Sequence, residues 1–424
     1  MLAEALGYLP LALEQAAAYI DETGLSLGGY LRLFRQQEVR VLHEGKVLGY
    51  QGSVATTWLL SLQRVEELSP AAADLLCLCA FLGPDDIPQR IIVEGAGSLP
   101  RQLASTVTDP LGLNDAIAVL RSHSLVQAGE ESLSVHRLVQ VVTRDRLQMA
   151  DAELWAGAAV EVVDHGFPPE ARHPGRWPAA EHLLAHALAA AEHAQELQSG
   201  VAAASSVLDK VGVYLHAIGR FEAARSALER ARSLALVANG PEHPVLVRIG
   251  TDLGLVQLRT DASAEALETT ATALEQARRL DPPLDDRQLV RTMTAFGSAQ
   301  AAQRTPESLS EAVATLTQAL DRAVNVLGPE HPDTLDARAA LAATMVAVGD
   351  LADAQTLQEQ VLAQREVVLG PEHPDTLGAA IALARTLHVL GDADRARALE
   401  ESAAAASSSA LSPPAERPPP PADR

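Results

Sequence analysis

The chain has 424 residues, too many for one compact core, so two or three domains are expected. Hydrophobic residues make up 47% of it and aromatics only 3%, so the apolar mass is Ala, Leu and Val, which favours close-packed helices over sheets. A formal net charge of −22 disfavours nucleic acid and anionic membrane surfaces as partners.

Residues 1–22 read as a helix with an apolar stripe, interrupted by Gly7 and Pro10. The pattern begins without a lead-in, which predicts that the earlier part of its domain is absent. There is no basic leader of a secretory signal, and no apolar run approaches the roughly 18 residues of a membrane helix. Cys77 and Cys79 stand two apart in an apolar helical stretch and predict buried thiols in a reducing cytoplasm. Lys46 and Lys210 are the only lysines beside 31 arginines, a bias that fits GC-rich bacterial coding.

Residues 53–148 have another character. Helical patterns cover Val54–Leu68 and Ala71–Leu82, divided by Ser69-Pro70, then Ile87–Glu94, then a segment capped by Asn114 and running to Leu125. Leu125–Ala128 and Ser132–Val135 alternate around the polar turn Gly129-Glu130-Glu131 and predict a β-hairpin. A helix from His136 to Met149 follows. Helices followed by a two-stranded wing predict a winged-helix domain over 51–150, behind a helical remnant over 1–50. With 17 acids against 11 bases in residues 1–150, and Arg121 alone as a cation on the Asn114–Ser124 segment, DNA binding by the wing is disfavoured.

Residues 151–200 predict an acidic helical linker, broken at Phe167-Pro168-Pro169 and at His173-Pro174. Beyond it one stretch recurs. Leu327-Gly328-Pro329-Glu330-His331-Pro332-Asp333-Thr334-Leu335 returns 42 residues later as Leu369–Leu377, and Gly240-Pro241-Glu242-His243-Pro244 is an earlier copy. Gly328 suits the left-handed residue past a helix end, Pro329 cannot continue that helix, and Pro332 suits the first turn of the next. Between copies lie two helical patterns, divided at Gly349 with Asp350 as the candidate N-cap. Two helices per period predict a solenoid of about five hairpins over 201–404, then a disordered Pro-rich tail over 405–424.

The repeat resembles the tetratricopeptide type in its long, kinesin-light-chain-like form. Ala342, Gly349, Ala354 and Val361 match its small crossing positions. That resemblance implies a protein or peptide partner in the groove. Ala339 and Ala340 stand where this form often has paired Asn residues that contact peptide. The N-terminal part resembles the end of an NB-ARC domain of STAND signalling ATPases. Gly7-Tyr8-Leu9-Pro10-Leu11-Ala12-Leu13 is similar to its GLPLAL motif, with Tyr8 as an extra residue. Leu133–Gln140 is similar to its winged-helix His motif. The resemblance implies that Pro10 packs near an adenine and that His136 reaches the β-phosphate of ADP.

Other residues bound these readings. A phosphate-binding loop needs Lys followed by Ser or Thr, whereas Lys46 precedes Val47 and Lys210 precedes Val211. This chain alone is therefore expected to bind no cofactor, with ADP or ATP possible only beside a nucleotide-binding half. His182 and His186 are four apart, a zinc-compatible spacing, but no His-Glu-x-x-His order or further ligand completes a site. No nucleophile–base arrangement stands out. The fold expected is mainly α, a winged-helix domain with a small β-hairpin followed by a tetratricopeptide solenoid. The function expected is a non-enzymatic signalling scaffold that binds a partner through Asp209, His216, Asp336, Arg385 and His388. A second copy of the chain is a further expected partner, and a stand-alone adaptor without nucleotide or, behind it, a winged-helix transcription regulator are the alternatives.

Overall fold

The computed structural model describes residues 2–6, 10–43 and 52–410, which fall into two compact units, Met1–Asn239 and Gly240–Arg424. The chain is mainly α. Its sheet among the described residues is a small one of three strands.

In the first unit, the opening pattern resolves into Leu2–Ala5 and Pro10–Thr23, followed by Leu27–His43 and Gly52–Leu68. Ser69 then caps Pro70–Cys79, its hydroxyl accepting from the Ala72 N–H at 3.2 Å, with Pro70 in the first turn. The expected helix over Ile87–Glu94 begins two residues later. Ile87–Pro88 is strand β1 and Gln89–Glu94 the helix. β1 pairs antiparallel with β3 (Ser132–Ser134), which pairs with β2 (Gln127–Ala128), giving the order β1-β3-β2. Buried Ile87 sits opposite buried Leu133, so burial holds the third strand in register. Asn114 is not a cap. Asp109 caps Pro110–Ser122, and the Asn114 amide lies inside that helix, donating to the Pro110 carbonyl. An unforeseen helix, Arg101–Val107, precedes it.

His136 caps Arg137–Arg146, and buried Gln140 on that helix donates to the Cys79 and Leu82 carbonyls at 2.9 and 3.0 Å. Those two bonds tie the end of the Pro70–Cys79 helix and the residues after it to Arg137–Arg146. The segment expected as a linker is a packed hairpin. Met149–Gly166 and Trp177–Glu196 lie against each other and against Val201–Ala217, with Val160, Val163, Leu183 and Ala187 fully or almost fully buried. Alanine packing made the segment look like a plain polar linker. Its small apolar stripe is enough to bury two helices. The pair Val201–Ala217 and Phe221–Asn239 completes the unit, so the first expected solenoid hairpin belongs with this one.

The second unit holds four hairpins: Pro244–Arg259 with Ser263–Arg279, Asp286–Ala302 with Pro306–Val326, Pro332–Val348 with Leu351–Val368, and Pro374–Leu390 with Ala393–Ala410. The last helix runs past residue 405, where a tail was expected, because the Ala-Ser run to Ala410 favours helix. Residues 411–424 lie outside the described residues. The recurring stretch acts as a stop and a restart. Gly328 and Gly370 take φ of +94° and +90°, which only glycine adopts freely. His331 Nδ1 then accepts the Asp333 N–H at 3.2 Å, and His373 Nδ1 accepts that of Asp375 at 3.2 Å. His243 repeats the cap on Val245 at 3.3 Å. Asp350 occupies its cap position but makes no side-chain cap bond.

Within hairpins the helices cross closely. A Cβ on Gly254 or Gly297 would lie under 3.0 Å from Thr270 or Leu316 on the paired helix. Gly378, mid-helix on Pro374–Leu390, faces open space. Gly297→Ala is therefore expected to lower stability by about 2 kcal/mol through overpacking, whereas Gly378→Ala should raise it by up to about 1 kcal/mol through helix propensity. Urea midpoints at an unchanged m-value check both.

Candidate functional site

In the second unit, the first helices of successive hairpins pack on one another side by side, and the second helices do so far less. The first helices therefore form the inner face. Charges join them at that level. Arg291 Nη2 donates to Asp252 Oδ1 at 2.7 Å, and Arg291 Nε lies 3.8 Å from Asp333 Oδ1. Arg287 Nε donates to Asp333 Oδ2 at 2.6 Å. Three successive first helices, each in a different hairpin, are thus tied in a row. Asp252, Arg291 and Asp333 side chains are 4%, 17% and 7% exposed, so removing one partner strands the others. Beneath the row the Thr251 and Thr292 hydroxyls lie 2.9 Å apart, with the Gln288 amide donating to both.

One hairpin further on, Arg365 is buried on Leu351–Val368 and reaches two first helices at once. It donates to the Asp336 carboxylate and, at 3.0 Å, to the Asp375 carbonyl. Residues not used in these ties remain exposed on the last two first helices: Ala343 and Ala347 on one, Ile381 and Arg385 on the other.

The expected partner-binding residues part company. Asp336, Arg385 and His388 fall in the second unit, Asp209 and His216 in the first. Arg385 is exposed and free of hydrogen bonds or ion pairs to described residues. Asp336 is exposed but held by Arg365. His388 Nε2 sits 3.2 Å from Glu400 Oε1 on its own hairpin's second helix. His216 is half-buried, its ring 5.8 Å from that of Phe221. Asp209 is 2% exposed, within the packing of Val201–Ala217, out of a partner's reach. Asp209 lies on the side of its helix that packs against neighbouring helices. Arg287, Arg291, Asp252 and Asp333 were not singled out in advance. A signal was present: Arg291 and Asp333 are opposite charges 42 residues apart, the repeat period itself.

The expected nucleotide residues lie in the first unit. His136 is exposed, with Nδ1 accepting the Leu138 N–H at 3.2 Å and its ring 6.4 Å from that of Trp58. Trp58 is buried and its Nε1 has no hydrogen-bond partner among the described residues. Pro10 opens the helix Pro10–Thr23, while Gly7–Leu9 and the Pro10 side chain lie outside the described residues. Burial pushes the Cys77 and Cys79 thiols up to about 12, so neither is a ready thiolate nucleophile. Among the described residues no group of three or more His, Cys, Asp or Glu is arranged to hold a metal. The Nε2 atoms of His182 and His186 instead meet the Asp86 carbonyl, at 3.2 and 3.3 Å.

Tetratricopeptide-repeat models match residues 205–245, 291–366 and 339–409. Residues 205–245 and 291–409 are tetratricopeptide repeats. A model described as Domain of unknown function (DUF7779) matches residues 63–152. The chain is 25% identical over 257 residues to a nucleotide-binding leucine-rich repeat (NLR)-like protein of Hyaloscypha variabilis. That match takes in 56% of this chain and 24% of the relative, so the chain spans about a quarter of the relative's length. Among solved structures, a Podosopora anserina kinesin light chain with nearly identical TPR-like repeats is 23% identical, with a TM-score of 0.36 over 48% of this chain and 95% of that one. BtubC (BKLC) from P. vanneervenii is 16% identical, with a TM-score of 0.40 over 66% and 97%.

The row of charges makes a direct prediction. Asp252→Ala leaves Arg291 partly buried without its nearest carboxylate and is expected to cost about 3 kcal/mol. Arg291→Met on that background should restore part of the loss, as a double-mutant cycle in urea would show.

Proposed function

We propose that the chain is a non-catalytic protein-interaction scaffold whose repeats take a protein partner on the inner face of the first helices. One observation carries this reading. The ties between repeats consume Asp252, Arg287, Arg291 and Asp333, yet leave Arg385 unpaired beside exposed Ile381, Ala343 and Ala347 on successive first helices. An unpaired guanidinium beside small and aliphatic side chains fits a partner segment that combines a carboxylate with apolar residues. The fold by itself names no activity. No described helix is long and apolar enough to cross a membrane.

In this reading the domains run as helical remnant (1–50), winged helix (51–150), helical hairpin (151–200) and repeats (201–404). The test is capture of partner from extract by the full chain. Arg385→Glu should reduce recovery at least tenfold. Asp394→Arg, on the exposed side of a second helix, should leave it unchanged. Equal recovery by Arg385→Glu and the unaltered chain would place the contact elsewhere.

A second reading has its own observation: exposed His136 packs on Trp58, whose buried indole N–H lacks a partner. Kinship with NLR-like proteins supports a role for this spot in a nucleotide-controlled switch of the STAND type, in which bound ADP favours the closed form and partner binding the open one. Since Lys46 and Lys210 cannot serve a phosphate loop, the remaining contacts would come from a nucleotide-binding half outside these residues. Equilibrium dialysis separates the readings. The chain alone is expected to show no ADP binding at 10 µM or below (about 7 kcal/mol), and tight binding abolished by His136→Ala would reverse their order.

A further inference from the structure

Three histidines stand on the inner side of one helix, Trp177–Glu196, and all three meet the turn that leads into β1. His182 Nε2 lies 2.9 Å from Asp86 Oδ2. His186 is 1% exposed, its Nε2 is 3.3 Å from the Asp86 carbonyl, and its Nδ1 is buried against the Gly83 backbone. His193 packs edge-on against buried Phe81, ring centroids 5.4 Å apart. The turn is shaped for this contact. A Cβ on Gly83 would come within 2.9 Å of His186 Nδ1, and Asp86 takes a φ of +55°, which few residues other than glycine adopt. The hairpin thus holds the turn by imidazoles where an apolar side chain would serve packing equally well.

We propose that His186 and His193 are an acid-sensitive latch: neutral, they hold the 80–87 turn against Trp177–Glu196, and protonated, they let it go. The surrounding charges set the direction. His186 faces His182 and Asp86, and His193 faces Arg144, Glu192 and Glu196. The hairpin's other charges are engaged away from the turn, Lys210 with Asp164 at 2.9 Å and Glu181 with Tyr214. For His186 burial is the largest influence and lowers proton affinity, outweighing the opposing Asp86 and Gly83 carbonyls and the Asp86 carboxylate. For His193 burial again leads, and the Arg144 guanidinium adds to it. Both imidazoles therefore bind a proton more weakly in place than when freed, where 6.5 is the ordinary value. The released form holds more protons once the pH falls through about 6.5, so docking is full above that value and weakens below it. The His182–Asp86 contact is exposed and weak, so it does little to hold the turn. Opening is local, because Val162 and Ile91 keep Met149–Gly166 packed near Gly95 and Gly166. This inference stands apart from the partner-binding reading.

Hydrogen exchange of the full chain at pH 7.5 and 5.5, corrected for intrinsic rate, tests it. Peptides covering 80–88 are expected to exchange about tenfold faster at the lower pH, with 286–348 unchanged, and the double variant His186→Gln, His193→Gln should lose the acid response. An identical acid response in that variant, or none in the unaltered chain, overturns the latch. Should the variant not fold, histidine-labelled NMR of the unaltered chain decides alone. Both imidazoles titrating below the ordinary value support the latch, and either titrating at or above it overturns it.

Discussion

Each repeat of the second unit depends on ending one helix and starting the next within a few residues. The Gly-Pro-Glu-His-Pro turn does this with backbone physics. Gly328 and Gly370 take the left-handed conformation, the first proline bars continuation, and the histidine lends Nδ1 to an N–H that would otherwise lack a partner. Without that reset the last helix of one hairpin and the first helix of the next would have no fixed angle between them. The same cap recurs at His136 and His173 in the first unit, where the histidine again accepts from the residue two ahead.

The turn sets the path from one hairpin to the next, and buried charge sets how their first helices sit on each other. Asp252, Arg291 and Asp333 bring little net stability compared with apolar residues of the same size, since each must give up water. Their value is positional: a slip of one helix along its neighbour would separate charges held at 2.7 Å and leave them buried and unpaired. Such ties also decide which polar side chains are left for a partner. Asp336 is engaged by Arg365 and Arg385 is not, so the exposed guanidinium, not the carboxylate, is the more available recognition group.

Much of this was legible in the sequence. The period and the helix ends follow from Gly and Pro spacing alone, because those residues act locally. The third strand was hidden because Ile87 and Pro88 continue smoothly into a helical pattern, and only burial of Ile87 against Leu133 makes them a strand. Residues 151–200 look like a helical linker in sequence because alanines carry the packing of the helices there and look neutral in any periodicity. The candidate site was legible only in part. Arg385 is exposed, whereas burial of Asp209 depends on a neighbouring helix that no local rule specifies.

The central claim is that the inner face of the first helices receives a protein partner. Hydrogen exchange of the full chain with and without its captured partner tests it most directly. The account predicts slower exchange on partner binding in peptides from Pro332–Val348 and Pro374–Leu390, with Leu351–Val368 little changed. Protection confined to Arg137–Arg146 and its surroundings, with the first helices unaffected, would contradict it.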